Sequence, residues 1–283
     1  MKQGNAKSIR ACLQNISNKE KIDFQQIVTR YLHERLIYRL SVSEYAKNFF
    51  LKGGALLYAF SGLHTRPTMD IDMLAKHIDN DKSNIKTIFE QICDIKYDDD
   101  CVNFRKDSIV VSDIAEEAKY SGIRVLIDAD FDTIKQRLQI DFGFSDIIIS
   151  SIDLDFPVLL EELDRPQIKA YSMETVIAEK FHAMITLGTN NSRMKDFFDV
   201  YILLKNNKLT NKNLQNAISE IFRNRETPCI ESPELFEISF FQNTNRKIRW
   251  KAFLRKIKSE NIDFETVVKH ITARLQPIYE QLK

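Results

Sequence analysis

Two hydrophobic periods succeed one another along the chain, and their order predicts an α/β half followed by a helical half. Asp23 and Gln26 stand at capping-box spacing, and Phe24, Ile27, Val28, Tyr31 and Leu32 recur at helical intervals, so the first fifty residues read as helix. The apolar run Phe49-Phe50-Leu51 reads as a buried strand that Gly53-Gly54 ends sharply. Good helix formers follow from Ala55 to Phe60, which gives the order strand, glycine turn, helix. Gly62 closes that helix and residues 64–68 form a loop. Residues 69–74 then alternate as a strand, with Asp70 and Asp72 on one face and Met69, Ile71 and Met73 toward the core.

Further on, residues 84–95 read as helix and residues 123–131 and 135–142 as strands. In the second of these, Arg137, Gln139 and Asp141 share one face, opposite Leu138, Ile140 and Phe142. Residues 146–171 carry Pro157 and Pro166 and read as a connector with short strands. Ser172 is a plausible N-cap, and the pattern is helical from there to the end. The expected domains are residues 1–171 and 172–283, without internal repeats.

Composition narrows the class. With 283 residues, 43% hydrophobic and 29% charged, the chain can bury a full core. No apolar stretch approaches the roughly 20 residues that span a bilayer, and no hydrophobic block follows the N-terminal charges as in a secretory signal. Cys12, Cys93, Cys101 and Cys229 show neither a CxxC pair nor zinc spacing, which points to a reduced, cytoplasmic setting without a membrane. A net charge of +1 creates no global field for a polyanion, yet seven basic and no acidic residues lie between positions 246 and 258.

Nucleotidyl transfer needs positive charge against a triphosphate and an activated hydroxyl, and two divalent ions about 3.5–4 Å apart supply both. An Asp-x-Asp strand suits such ions because alternation puts both carboxylates on one face. Asp141, on a later strand, is the candidate third ligand, so Asp70, Asp72 and Asp141 form a candidate site for Mg²⁺ or Mn²⁺. The Gly53-Gly54 turn at a helix N-terminus offers backbone N–H groups to the phosphates of an NTP, and Arg66 in the following loop can meet a phosphate. Taken singly, an Asp-x-Asp is more often a solvated strand end and a Gly-Gly more often a turn; the ordered set is what carries specificity.

The run LKGGALLYAFSGLHTRPTMDIDML resembles the first motif of the AbiEii/AbiGii-type nucleotidyltransferases, toxins of abortive-infection and toxin–antitoxin systems. RLQIDFGFSD is similar to the third-carboxylate strand of that family, YSMETVIAEKFHAM to its helix with Ala-Glu-Lys, and NSRMKDFFDVYILL to its Lys-Asp-x-x-Asp helix. The resemblance spans about residues 45–206, and its last two motifs separate this family from other polymerase-β-like enzymes. It implies an α+β fold: a polymerase-β-like nucleotidyltransferase core with a mixed sheet and flanking helices, then a helical C-terminal domain.

By the same resemblance, Gly53 and Gly54 hold the triphosphate, Asp70 and Asp72 bind metal, and Asp141 binds metal or accepts the proton of the acceptor hydroxyl. Lys180 and Lys195 neutralise phosphate charge, Asp196 and Asp199 belong to the catalytic set, and Arg193 joins the nucleotide-binding one. The chain departs from many polymerase-β-like enzymes at Ala55, where they carry Ser or Thr; the backbone N–H is kept and the hydroxyl contact to phosphate is lost.

Read physically, the stripe Val176, Ile177, Phe181 and Met184 anchors a helix from which Lys180 projects into a cleft or snorkels at the surface. Lys195, Asp196 and Asp199 stand at spacings that share a helix face, as a surface ion pair also would. Arg193 and Lys195 oppose the helix dipole in the first turn, a local misfit that favours an anion contact. His182 reads as a packed, hydrogen-bonded histidine rather than a base. Around Trp250, Phe253, Leu254 and Ile257, the basic residues Lys247, Arg249, Lys251 and Arg255 form either a solvated face or a nucleic-acid surface.

The expected activity is transfer of an NMP from an NTP to an acceptor hydroxyl with release of pyrophosphate. The resemblance makes the acceptor the tRNA 3′ end, the outcome a block of translation, and the partner a separately encoded cognate antitoxin. A transferase acting on a protein or a small molecule such as an antibiotic stays open, as does a non-catalytic nucleotide-binding regulator. Charge reversal at Lys251 and Arg255 separates the first pair, and Asp70→Ala the second.

Overall fold

The computed structural model describes residues 5–114, 122–145 and 148–282; residues 1–4, and residues 146 and 147 at the start of the expected connector, lie outside them. Two compact units emerge: Met1–Ile148 with Ile152–Ala170, and Ile149–Ser151 with Tyr171–Lys283. Among the described residues no helix is long and apolar enough to cross a membrane.

In the first unit, helices α1 (Ala6–Glu20) and α2 (Phe24–Ser41) lead into strand β1 (Phe49–Lys52), helix α3 (Gly53–Ser61), strand β2 (Asp70–Ala75) and helix α4 (Lys82–Asp94). Strands β3 (Val102–Ile114), β4 (Gly122–Phe131), β5 (Ile134–Phe144), β6 (Ser151–Asp155) and β7 (Gln167–Tyr171) follow. They form one sheet in the order β3-β4-β5-β2-β1-β7-β6. The β3-β4-β5 meander is antiparallel, β2 joins β5 in parallel, β1 joins β2 antiparallel, and β7 joins β1 in parallel. This mixed sheet with flanking helices is the α+β fold expected from the sequence.

Alternation divides the sheet into an apolar and a polar face. On the apolar face Phe49 of β1 and Phe142 of β5 pack with Phe89 of α4, ring centroids 5.3–6.4 Å apart, beside the buried Ile71, Met73, Ile140 and Val125. Met69, expected to join them, is 65% exposed, because pairing of β2 with its neighbours starts at Asp70 and Met69 lies before the strand. The 13-residue β3 was not among the expected strands. Its register against β4 shifts between Arg105 and Val110, and that irregularity breaks the alternation that marks a strand.

Helix α2 is buried almost all round, including Arg30, His33, Glu34, Arg35 and Arg39. Arg30, Glu34, Arg35 and Arg39 are each tied to a segment distant in sequence, which helps offset the cost of their burial. Arg30 donates to the Leu63 and Thr65 carbonyls, Glu34 accepts from the Leu159 N–H at 2.7 Å, and Arg39 pairs with Asp100. Burial pushes the Glu34 carboxyl up to about 7, against the pull of Arg35 at 2.8 Å. Through Arg30 the helix fixes the loop that leads into β2.

The second unit is helical: α5 (Met173–Leu187), α6 (Met194–Asn206), α7 (Asn211–Asn224), α8 (Ile238–Gln242), α9 (Thr244–Lys256) and α10 (Phe264–Glu280). Ser172 caps α5 by accepting from the Thr175 N–H at 3.2 Å. Its core is aromatic, with Phe181, Phe222, Phe236 and Tyr279 in one cluster and Phe197, Phe240, Trp250 and Phe264 in another.

Candidate active site

The polar face of the sheet brings three carboxylates together. Asp70 and Asp72 alternate on β2, and the parallel register sets Asp72 directly beside Asp141 on β5. One oxygen from each of Asp70, Asp72 and Asp141 lies within 4.8 Å of the others, and all three side chains are half-buried. Like charges this close repel one another, which an oxygen-ligated divalent cation among them relieves. The donor set therefore fits a hard divalent ion.

Both glycines of the turn are explained by what they touch. Gly53 begins α3 with φ +65°, and a Cβ there would overlap the Asp72 carboxylate. A Cβ on Gly54 would overlap the Thr68 hydroxyl, which donates to Asp70 Oδ1 at 2.7 Å. The missing side chains let the N-terminus of α3 sit against the strand that carries the carboxylates. Lys52, the N-cap residue of α3, makes no side-chain cap hydrogen bond to this helix end.

Some groups of the site were not among those singled out in the sequence. Arg124 lies opposite Asp141 in the β4–β5 register and donates Nε to Oδ1 and Nη2 to Oδ2, both at 2.8 Å. These hydrogen bonds, together with the charges of Asp141, Asp70 and Asp72, hold the Arg124 guanidinium above its usual value despite partial burial. Gln139, expected only to share a face with Asp141, donates to Asp141 Oδ2 at 3.1 Å. Lys52, opposite Asp72 on β1, sends its ammonium over Gly143 on β5. Such groups become visible only once strand order and register are known. Arg66 is half-buried in the loop before β2, and His64, at the surface, faces Glu20 at 3.3 Å.

In the second unit Lys180 of α5 is an ion-paired group, with Nζ 2.6 Å from Asp196 Oδ1 and 2.9 Å from Asp199 Oδ2 of α6. Lys195, expected to share the face of these acids, is exposed: it stands at the rim of the face that meets α5. Arg193, at the N-cap position of α6, is exposed as well. On α9 the residues Arg249, Lys251 and Arg255 are exposed, whereas Lys247 stands 3.8 Å from Glu265. Arg246 is buried beneath them, its guanidinium 3.9 Å from the Phe240 ring centre.

His182 is packed against Phe222 with Nε2 2.7 Å from the Thr227 hydroxyl. Burial, reinforced by Arg225, pushes its imidazole down to about 4. The fold thus binds the neutral ring, so this contribution to stability is complete above about pH 6.5 and is lost as pH falls through 4. His182→Gln is expected to flatten the fall of the melting temperature between those pH values, in thermal scans at stepped pH. An acid limb identical to that of the native chain would show that the ring titrates alike in folded and unfolded states.

A family model described as "Nucleotidyl transferase AbiEii toxin, Type IV TA system" matches residues 35–270. Among solved structures the chain is similar to JHP933 from Helicobacter pylori, at 14% identity and a TM-score of 0.50, covering 91% of this chain and 93% of that one. A second Helicobacter pylori structure, of a protein described as a candidate nucleotidyltransferase, matches at 14% identity and a TM-score of 0.50, over 92% of this chain and 97% of that one. At this identity the likeness concerns the fold. No functionally curated protein sequence matches.

Proposed function

The chain belongs to the AbiEii nucleotidyltransferase toxin family of type IV toxin–antitoxin systems, and on that premise we propose that it transfers an NMP from an NTP to the 3′-terminal hydroxyl of tRNA, using Mg²⁺ or Mn²⁺ held by Asp70, Asp72 and Asp141. Nucleotidyl transfer in a toxin–antitoxin setting comes with the family, as does a separately encoded antitoxin. The observation that supports metal-dependent transfer is the convergence of the three carboxylates beside the glycine turn at the N-terminus of α3.

A metal ion on these ligands supplies Lewis-acid charge stabilisation and lowers the pKa of a bound hydroxyl. The chain's own groups do the rest. Gly53 and Gly54 present backbone N–H groups to the β- and γ-phosphates, and Arg66 adds charge. Thr68 fixes one oxygen of Asp70. The acceptor oxygen bonds to the α-phosphorus, the α–β anhydride bond breaks, pyrophosphate leaves, and the hydroxyl proton passes to solvent or a carboxylate. In the second unit the exposed Arg193 and Lys195 act as phosphate-neutralising cations, whereas the charge of Lys180, expected to do the same, is taken by Asp196 and Asp199. Lys247, Arg249, Lys251 and Arg255 form the nucleic-acid face, whose phosphate contacts make binding salt-sensitive.

Incubating the purified chain with each α-phosphate-labelled NTP, Mg²⁺ and total tRNA tests this. Label is expected in tRNA with the native chain and not with Asp70→Ala. Nucleotide binding without labelled tRNA would overturn the acceptor and direct the search to proteins and small molecules.

A further inference from the structure

Asp141 carries more hydrogen bonds than a ligand waiting for metal requires. A carboxylate offers about four lone-pair positions, two on each oxygen. Oδ2 accepts from Arg124 Nη2 at 2.8 Å and from Gln139 Nε2 at 3.1 Å, so both of its positions are taken. Oδ1 accepts from Arg124 Nε at 2.8 Å and keeps one. As it stands, Asp141 can give a cation a single lone pair and cannot bridge two ions. Asp70, by comparison, has one hydroxyl donor, Thr68, on Oδ1.

The guanidinium holding Asp141 is not a structural filler. Arg124 is 38% exposed, its partner carboxylate 16%, and the pair lies on the face that carries Asp70 and Asp72. The Nε/Nη2 fork on one carboxylate is the strongest geometry available to arginine, and it places a fixed positive charge at the rim of the triad.

We propose that Arg124 is the resident counter-ion of Asp141, holding lone pairs that bridging of two divalent ions would require and opposing even a single ion by its charge, so that the Arg124 fork and metal compete for Asp141. The inference rests on the reading of the triad as a metal site. Arg124 is then a positioning residue with an unusual sign: it orders Asp141 while opposing the metal. It does so twice, through the lone pairs its hydrogen bonds occupy and through charge repulsion.

The test is Mn²⁺ binding by calorimetry to the full native chain, Arg124→Gln, Arg124→Lys and Asp70→Asn, with thermal melts of each. Arg124→Gln is expected to bind Mn²⁺ about tenfold more tightly, the equivalent of removing one charge-assisted hydrogen bond from the competition. Arg124→Lys keeps the charge but not the fork, and is expected to fall between the two. A guanidinium that merely braced the strand would give the opposite sign. Equal or weaker binding by both Arg124 variants, with melts like the native chain, overturns the proposal. Should Arg124→Gln fail to fold, unchanged or weaker binding by Arg124→Lys overturns it alone. If the native chain itself takes up no Mn²⁺, or Asp70→Asn binds as well as the native chain, the metal reading of the triad falls and the inference with it.

Discussion

Gly53→Ala is expected to lose at least about two orders of magnitude in nucleotidyl transfer although no reacting group is changed. The residue has φ +65°, a left-handed conformation that costs an L-residue about 1–2 kcal/mol. Its new Cβ would also occupy space held by the Asp72 carboxylate, so either α3 or Asp72 must shift. A displacement of about 1 Å at a reacting centre is enough for a hundredfold loss. The expected pattern is a modest fall in melting temperature with a large fall in label transfer at saturating NTP. Native-like transfer by a folded Gly53→Ala chain would show that Asp72 does not act from the position it holds here.

The same contact shows why part of this site could be read in one dimension. Asp70 and Asp72 are legible because alternation on a strand is local, and Gly53-Gly54 because a sharp strand-to-helix turn needs glycine locally. Where β2 begins is not local: it is set by pairing with β5, and so the side-chain pattern mistakenly sent Met69 to the core. Arg124 and Lys52 depend wholly on strand neighbours, since β4 and β1 meet Asp141 and Asp72 only through sheet order. The helical period of α2 was visible in Ile27, Val28, Tyr31 and Leu32. Its buried charges were not, because their partners at Leu159, Asp100 and Thr65 lie far along the chain. Strand β3 shows the remaining case, in which an irregular register breaks the alternation by which β2 and β5 were legible.

Lys180→Met is expected to cost about 3–5 kcal/mol of folding stability, the range for removing one partner of a buried ion pair. Lys180 is 13% exposed, and its acids Asp196 and Asp199 are 6% and 2% exposed, so neither carboxylate can turn to water once the ammonium is gone. Burial works against the charge on Lys180, but Asp199 and Asp196 outweigh it and hold the ammonium above the usual lysine value. The ammonium is therefore kept charged in the folded chain by the acids that surround it. Urea unfolding should show the loss in Lys180→Met and a partial recovery when Asp196→Asn and Asp199→Asn are added, because the substituted amides bury no charge where the ammonium has been removed. A fall of less than about 1 kcal/mol in the single variant would place the cluster with solvated surface pairs instead. The triple variant also separates structure from chemistry. If it regains stability but not transfer, the Lys180–Asp196–Asp199 cluster is needed for the reaction; if transfer returns with stability, the cluster serves only to hold α5 and α6 together.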